Sequence, residues 1–107
     1  MNYSFLPEDD ALIVKIEGDF LVGKIKNFLS DVIKESSDYE SVILDFSGVN
    51  FIDSYGIGIL LSLLKELKKK DKELKICSLN KSVKNIFKKL QVYSFFEIYE
   101  TCDDALI

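Results

Sequence analysis

"VILDFSGVNFIDSYGIGILLSLL", Val42 to Leu64, changes periodicity halfway along. "SVILDF", Ser41–Phe46, is a short, largely apolar run of the kind that forms a buried strand. From about Tyr55 to Lys70 the apolar residues Ile57, Leu60, Leu61, Leu64 and Leu67 recur at helical spacing. Ile59 and Leu63 widen that face, so the early turns of this helix are expected to be buried nearly all round. Between the two elements Ser47-Gly48-Val49-Asn50 turns the chain, and Phe51-Ile52 is expected to anchor the loop in the core. Asp53 and Ser54 stand at the start of the helix, where a hydroxyl can act as N-cap. Gly56 and Gly58 each cost about 1 kcal/mol relative to alanine in an exposed helix, so they need a reason. One reason is a surface that a partner's backbone can approach closely. The plainer one is tight helix–sheet contact, with Ser54 as a cap only.

Outward from this stretch the chain alternates between strand and helix. "ALIVKI" (Ala11–Ile16) reads as a strand, and "YSFL" as a short edge strand closed off by Pro7 and Asp9-Asp10. Leu21, Ile25, Phe28, Leu29, Val32 and Ile33 lie on one face of an amphipathic helix starting at Leu21. "LKICSL" (Leu74–Leu79) is a further strand. Asn80 is placed to cap a helix carrying Val83, Ile86, Phe87 and Leu90. "FFEIY" (Phe95–Tyr99) reads as the last strand, and Thr101 with Asp104 resembles a capping box opening a short final helix. The order β-β-α-β-α-β-α-β-α predicts an α/β domain over residues 1–107, with a mostly parallel, mixed sheet of about five strands and four helices.

Composition excludes several chemistries. The 107 residues suit one domain with one core. There is no histidine, so Ser-His-Asp and Cys-His catalysis and histidine-ligated zinc are ruled out. All 14 basic residues are lysine, so no guanidinium clamp for phosphate or bases exists. Cys77 and Cys102 are far apart and form no CxxC pattern, so neither a redox nor a zinc role is expected of them, and Cys77 reads as a small core residue. The net charge of −4 is uneven, with lysines concentrated in residues 65–89. Lys65, Lys68, Lys69, Lys72, Lys84 and Lys88 are expected on solvated faces and not at a nucleic-acid site; the sharper alternative is a basic face meeting an acidic partner. No apolar run reaches the ~18 residues of a membrane-spanning helix, and the first residues lack a signal-peptide pattern. A cytoplasmic location without membrane association is therefore expected.

"DFSGVNFIDSYGIGILLSLLKELKK" closely resembles the signature of STAS domains, the anti-sigma factor antagonist family. The family pattern runs Asp-Leu-Ser-Gly-Val, two apolar residues, then Asp-Ser-Ser-Gly-Leu-Gly. "GDFLVGKIKNF" is similar to the family's Gly-Glu-Leu-Asp segment, and "LNKSVKNIFKKLQVYSFFEIYETCDDAL" to its third helix, last strand and final helix. The resemblance covers essentially the whole chain. It implies a non-catalytic, cofactor-free module in signal transduction and transcription regulation, which switches partners by phosphorylation. Those partners would be a serine-kinase anti-sigma factor and a serine phosphatase, with a dimer left open. Ser54 would be the phosphorylated residue, and Asp19, Asp53, Ser54, Tyr55, Gly56 and Gly58 the partner-binding set. Two positions depart from the family: Tyr55 replaces its second serine, and Leu21 the aspartate of Gly-Glu-Leu-Asp. Both bear on whether Ser54 is phosphorylated, and by whom.

Other readings compete. The same scaffold could serve a larger signalling assembly without a working phosphosite. A receiver-like domain phosphorylated on Asp45 or Asp53 would need an acidic pair after its first strand, and Asp9-Asp10 comes before that strand. A nucleotide-binding enzyme using the Gly56–Gly58 loop lacks a base, an arginine and a metal cluster, and the Gly-Lys-Ser/Thr ending is missing.

Overall fold

The computed structural model describes all residues, Met1–Ile107. The apolar run at Val42 becomes β3 (Ser41–Gly48), the central strand of a five-stranded sheet. Strands β1 (Asn2–Glu8) and β2 (Ala11–Glu17) form an antiparallel hairpin. From β2 onward the sheet is parallel, through β3, β4 (Glu73–Cys77) and β5 (Glu97–Tyr99), in the order β1-β2-β3-β4-β5. Strand β1 continues through Pro7, beyond the stop read from the sequence, because it lies at the sheet edge where proline is tolerated.

The helices are α1 (Phe28–Glu35), α2 (Ser54–Lys69), α3 (Lys81–Lys89) and the short α4 (Cys102–Ala105). Strand order follows chain order from β2 to β5, and right-handed crossovers then return every connecting helix to one face. The main core forms there, where Val14, Val42, Leu44 and Ile76 of the sheet meet Phe28 and Leu60 of the helices. The opposite face carries only α4, whose Ala105 joins Ala11, Ile43 and Cys77 in a small second cluster. Tyr3 on β1 reaches over to α1: its ring meets Phe28 edge-on at 5.2 Å and its hydroxyl donates to the Asp31 carboxylate. Burial first, and then Asp31, push the Tyr3 phenol up to about 12.

Several expectations are corrected. The helix read from Leu21 begins only at Phe28, because Gly23 (φ 82°) and Asn27 (φ 67°) take left-handed conformations that a helix cannot hold. Ile25 is still buried, so turns satisfy the spacing that suggested a helix. In α2, Ile57, Leu60, Leu63 and Leu67 are buried, whereas Ser54, Tyr55 and Gly58 are exposed, so its first turns are not covered all round. The last strand is shorter than read, since Tyr93–Phe95 forms a 3-10 turn. Lys72 is not a free solvated lysine. Its ammonium donates to the carbonyls of Ser36, Ser37 and Tyr39 beyond α1.

The cysteines are joined. Cys77 at the end of β4 and Cys102 at the start of α4 form a disulfide across a sequence separation of 25, with Cα atoms 5.1 Å apart. Cys77 is also fully buried, as its apolar strand predicts. No helix is long and apolar enough to cross a membrane.

Candidate functional site

The site lies where the parallel strands end. Beyond β2 and β3 the backbone keeps pairing: Gly18 N donates to Gly48 O at 2.9 Å and Phe20 N to Phe51 O at 2.9 Å. Phe20 and Ile52 form a parallel bridge, and both are buried. Residues 18–22 and 48–53 therefore run side by side into the start of α2.

Asp53 ties these pieces together. Its Oδ1 accepts from Gly56 N at 2.8 Å, which caps α2, and its Oδ2 accepts from Val22 N at 3.0 Å, which holds the neighbouring loop. Burial disfavours the Asp53 charge, but the N–H groups of Val22 and Gly56 outweigh it and hold the carboxyl below its usual value.

Since Asp53 is the cap, Ser54 is not, which corrects the capping role read for its hydroxyl. Ser54 is instead the first residue of the helix, and it is exposed. Around it, Val22 is 63% exposed, Phe51 58% and Tyr55 52%, a concentration of large apolar side chains on two loops and one helical turn. Phe51 thus does not anchor the loop; Val49 and Ile52 do. Asp19 lies on the same strap, half-buried, immediately before Phe20.

The two glycines separate. A Cβ on Gly56 would lie 2.4 Å from Phe20 O and 2.8 Å from Phe20 Cδ1, so this glycine serves close contact inside the molecule and not a partner's approach. Gly58 has nothing within 4 Å of such a Cβ and is exposed. Of the pair, only Gly58 belongs to the outer surface.

A residue that the sequence reading took only as a cap also shapes the loop. Asn80 Oδ1 accepts from Val83 N at 2.8 Å at the start of α3, while its Nδ2 donates to Val49 O at 3.1 Å and Asn50 O at 3.3 Å. The one available signal was its residue type: asparagine caps as aspartate does, but carries donors as well.

The receiver-like arrangement is absent. Asp9 and Asp10 lie in the β1–β2 turn, at the end of the sheet where the parallel strands begin, opposite Asp53. Asp45 is engaged with Lys15 at 3.6 Å and Ser47 N at 2.9 Å. Chemically, the site offers an exposed hydroxyl at the N-terminal end of a helix, at the positive end of its dipole, where Asp53 already takes the Gly56 N–H. The one carboxylate beside it is occupied by two backbone N–H bonds.

Comparison with known proteins bears on the family and the fold. The STAS domain family matches residues 6–105. An anti-sigma F factor antagonist of Paenibacillus polymyxa is 25% identical over 103 residues, covering 90% of this chain and 84% of that protein. A Thermotoga maritima crystal structure of a suggested anti-sigma factor antagonist superposes with a TM-score of 0.89 at 22% identity, over 97% of this chain and 91% of that one. The anti-sigma factor antagonist SpoIIAA in its unphosphorylated form superposes with a TM-score of 0.81 at 14% identity, covering 98% and 93%. The Bacillus SpoIIAA in its phosphorylated form gives 0.69 at 16% identity, covering 98% and 96%. With the family match spanning residues 6–105, nearly the whole chain, the chain belongs to the STAS domain family.

Proposed function

We propose that this STAS domain is an anti-sigma factor antagonist: a non-catalytic, cytoplasmic partner-switching protein controlled by phosphorylation of Ser54. It binds a serine-kinase anti-sigma factor while unphosphorylated, and a serine phosphatase restores that form. The observation that carries the reading is the division of labour at α2. Asp53 makes the cap, so the Ser54 hydroxyl is left exposed at the first helical position.

A phosphate there adds roughly −1.5 to −2 charge at neutral pH. The positive dipole end of the exposed first turn can receive it without refolding. The exposed Val22, Phe51 and Tyr55 supply the apolar contact of the docking surface, and Gly58 lets the partner approach the helix closely. Asp19, on the adjoining strap, adds charge at its margin. Gly56 stands behind this surface and shapes it from inside.

The proposal is tested by incubating the chain with a serine-kinase anti-sigma factor and ATP and mapping any acid-stable phosphate by mass spectrometry. Phosphate on Ser54, abolished by Ser54→Ala, is the expected result. Tyr55, exposed where the family has serine, favours a second reading in which the fold is kept as a scaffold without a working phosphosite. Under the leading reading, Tyr55→Ser raises the rate of Ser54 phosphorylation and leaves the melting temperature unchanged. Under the second, neither form is phosphorylated.

A further inference from the structure

We propose that the Cys77–Cys102 disulfide is a reversible redox modification site, a latch that a dithiol opens to release α4 from the second face of the sheet. Its placement carries the inference. The bond joins the last residue of β4 to the first residue of α4. Few other contacts hold that helix of four residues: Ala105 sits in the small second cluster, Lys75 Nζ donates to Ala105 O at 2.8 Å, and the Glu100 leading into it meets only Ser78 Oγ and the exposed Lys84 ion pair, both at 3.4 Å. The Thr101 cap is internal to the segment and ties it to nothing. Because α1, α2 and α3 all pack on the other face, α4 is the only helix over Ala11 and Ile43, beside the half-buried Ile13 and Tyr99 side chains of the sheet. Opening the latch therefore uncovers apolar sheet while leaving the main core closed.

The two sulfurs also differ in access. Cys77 is fully buried, whereas Cys102 is partly exposed. A thiolate of the reductant attacks Cys102 Sγ, the protein S–S bond breaks, and Cys77 departs as a thiolate and takes up a proton. The second thiol of the reductant then attacks its own sulfur in the mixed disulfide, and Cys102 leaves and is protonated in turn. The protein gains two electrons and two protons, and the dithiol ends as a disulfide. A disulfide oxidant drives the reverse. None of these steps involves Ser54, so the inference stands apart from the proposed switch.

The test equilibrates the full chain across ratios of reduced to oxidised dithiothreitol in EDTA. Free thiols are then alkylated and counted by mass, and amide hydrogen exchange is followed in each state. The expected result is a single reversible transition in which both cysteines become labelled together. Amides in residues 100–107 should exchange about tenfold faster or more in the reduced form, with β2, β3 and β4 unchanged. Cys102→Ser, at the partly exposed position, should exchange fast there under either condition. Thiols that stay unpaired in excess oxidised glutathione would overturn the proposal. So would equal exchange of residues 100–107 in both states, or loss of protection throughout the sheet on reduction, which would make the bond a structural staple. A repeat with zinc in place of EDTA guards against another role, because Asp45, Cys77 and Cys102 offer ligand atoms within 4.8 Å of one another. If the reduced chain takes up zinc tightly and keeps residues 100–107 protected, these residues are a metal site and the latch is wrong.

Discussion

Asp53 does two jobs with one carboxylate, and that makes it the most consequential residue of the loop. Removing it loses the α2 cap and frees the Val22 loop at once. Caps are worth about 1 kcal/mol and hydrogen bonds to charged groups about 1.5–3, so Asp53→Ala should lower unfolding stability by roughly 2–3 kcal/mol in urea at pH 7. The pH dependence has a definite sign. Folding depresses the Asp53 pKa, so its contribution is complete above the ordinary carboxylate value of about 3.9 and is lost as the pH falls through the lower folded value. The gap between wild type and Asp53→Ala should therefore hold from pH 7 to about pH 4 and shrink below that. The glycines give an opposed pair. Gly56→Ala forces a Cβ against a backbone oxygen at 2.4 Å and should cost about 1–3 kcal/mol, whereas Gly58→Ala meets open space and should stabilise by about 0.4–1 kcal/mol. Denaturant melts of the two variants check both signs. At this scale the sequence singled out Asp53 to Gly58 as a group, but could not divide their structural roles. Asp53 and Ser54 are both good caps, and a buried glycine has the same letter as an exposed one.

At the scale of elements, what was legible was what periodicity encodes. Strand β3, helix α2, the Asn80 and Thr101 caps and the order of elements all follow from local spacing and residue type. Where long-range geometry decides, local pattern misleads. The spacing from Leu21 to Ile33 is helical, yet two left-handed residues confine α1 to Phe28–Glu35. The Lys72 contacts were illegible for the same reason, because they span 33 to 36 residues of sequence. Lys72 donates to three carbonyls of the turn beyond α1, one of which also accepts from Tyr39 N, and holds that turn against the start of β4. Lys72→Met keeps much of the aliphatic stem and removes the donors, so a loss of about 1–2 kcal/mol is expected in thermal or urea unfolding. Lys68→Met, on the exposed face of α2, is the control and should change stability by less than about 0.5 kcal/mol.

Across the whole molecule, chain order and crossover handedness put α1, α2 and α3 on one face and leave the other to α4 alone. The sequence foretold the class of fold, because strands and helices alternate. It did not foretell the disulfide, because the meeting of Cys77 with Cys102 depends on β4 and β5 being neighbours. The Ser54 surface forms at the end of the sheet where β2 and β3 finish, backed by a core that phosphorylation need not disturb. A partner seated on Ser54, Val22, Phe51 and Tyr55 would desolvate that hydroxyl on binding. Burying an unpaired phosphate in its place costs several kcal/mol, and each 1.4 kcal/mol is tenfold in affinity. The most direct measurement is titration calorimetry of the unphosphorylated chain, Ser54→Ala and the Ser54-phosphorylated chain against one serine-kinase anti-sigma factor. Ser54→Ala should bind as the unphosphorylated protein does, and the phosphorylated chain at least about a hundredfold more weakly with an unchanged circular dichroism spectrum. Equal affinity of the phosphorylated and unphosphorylated chains would contradict the account.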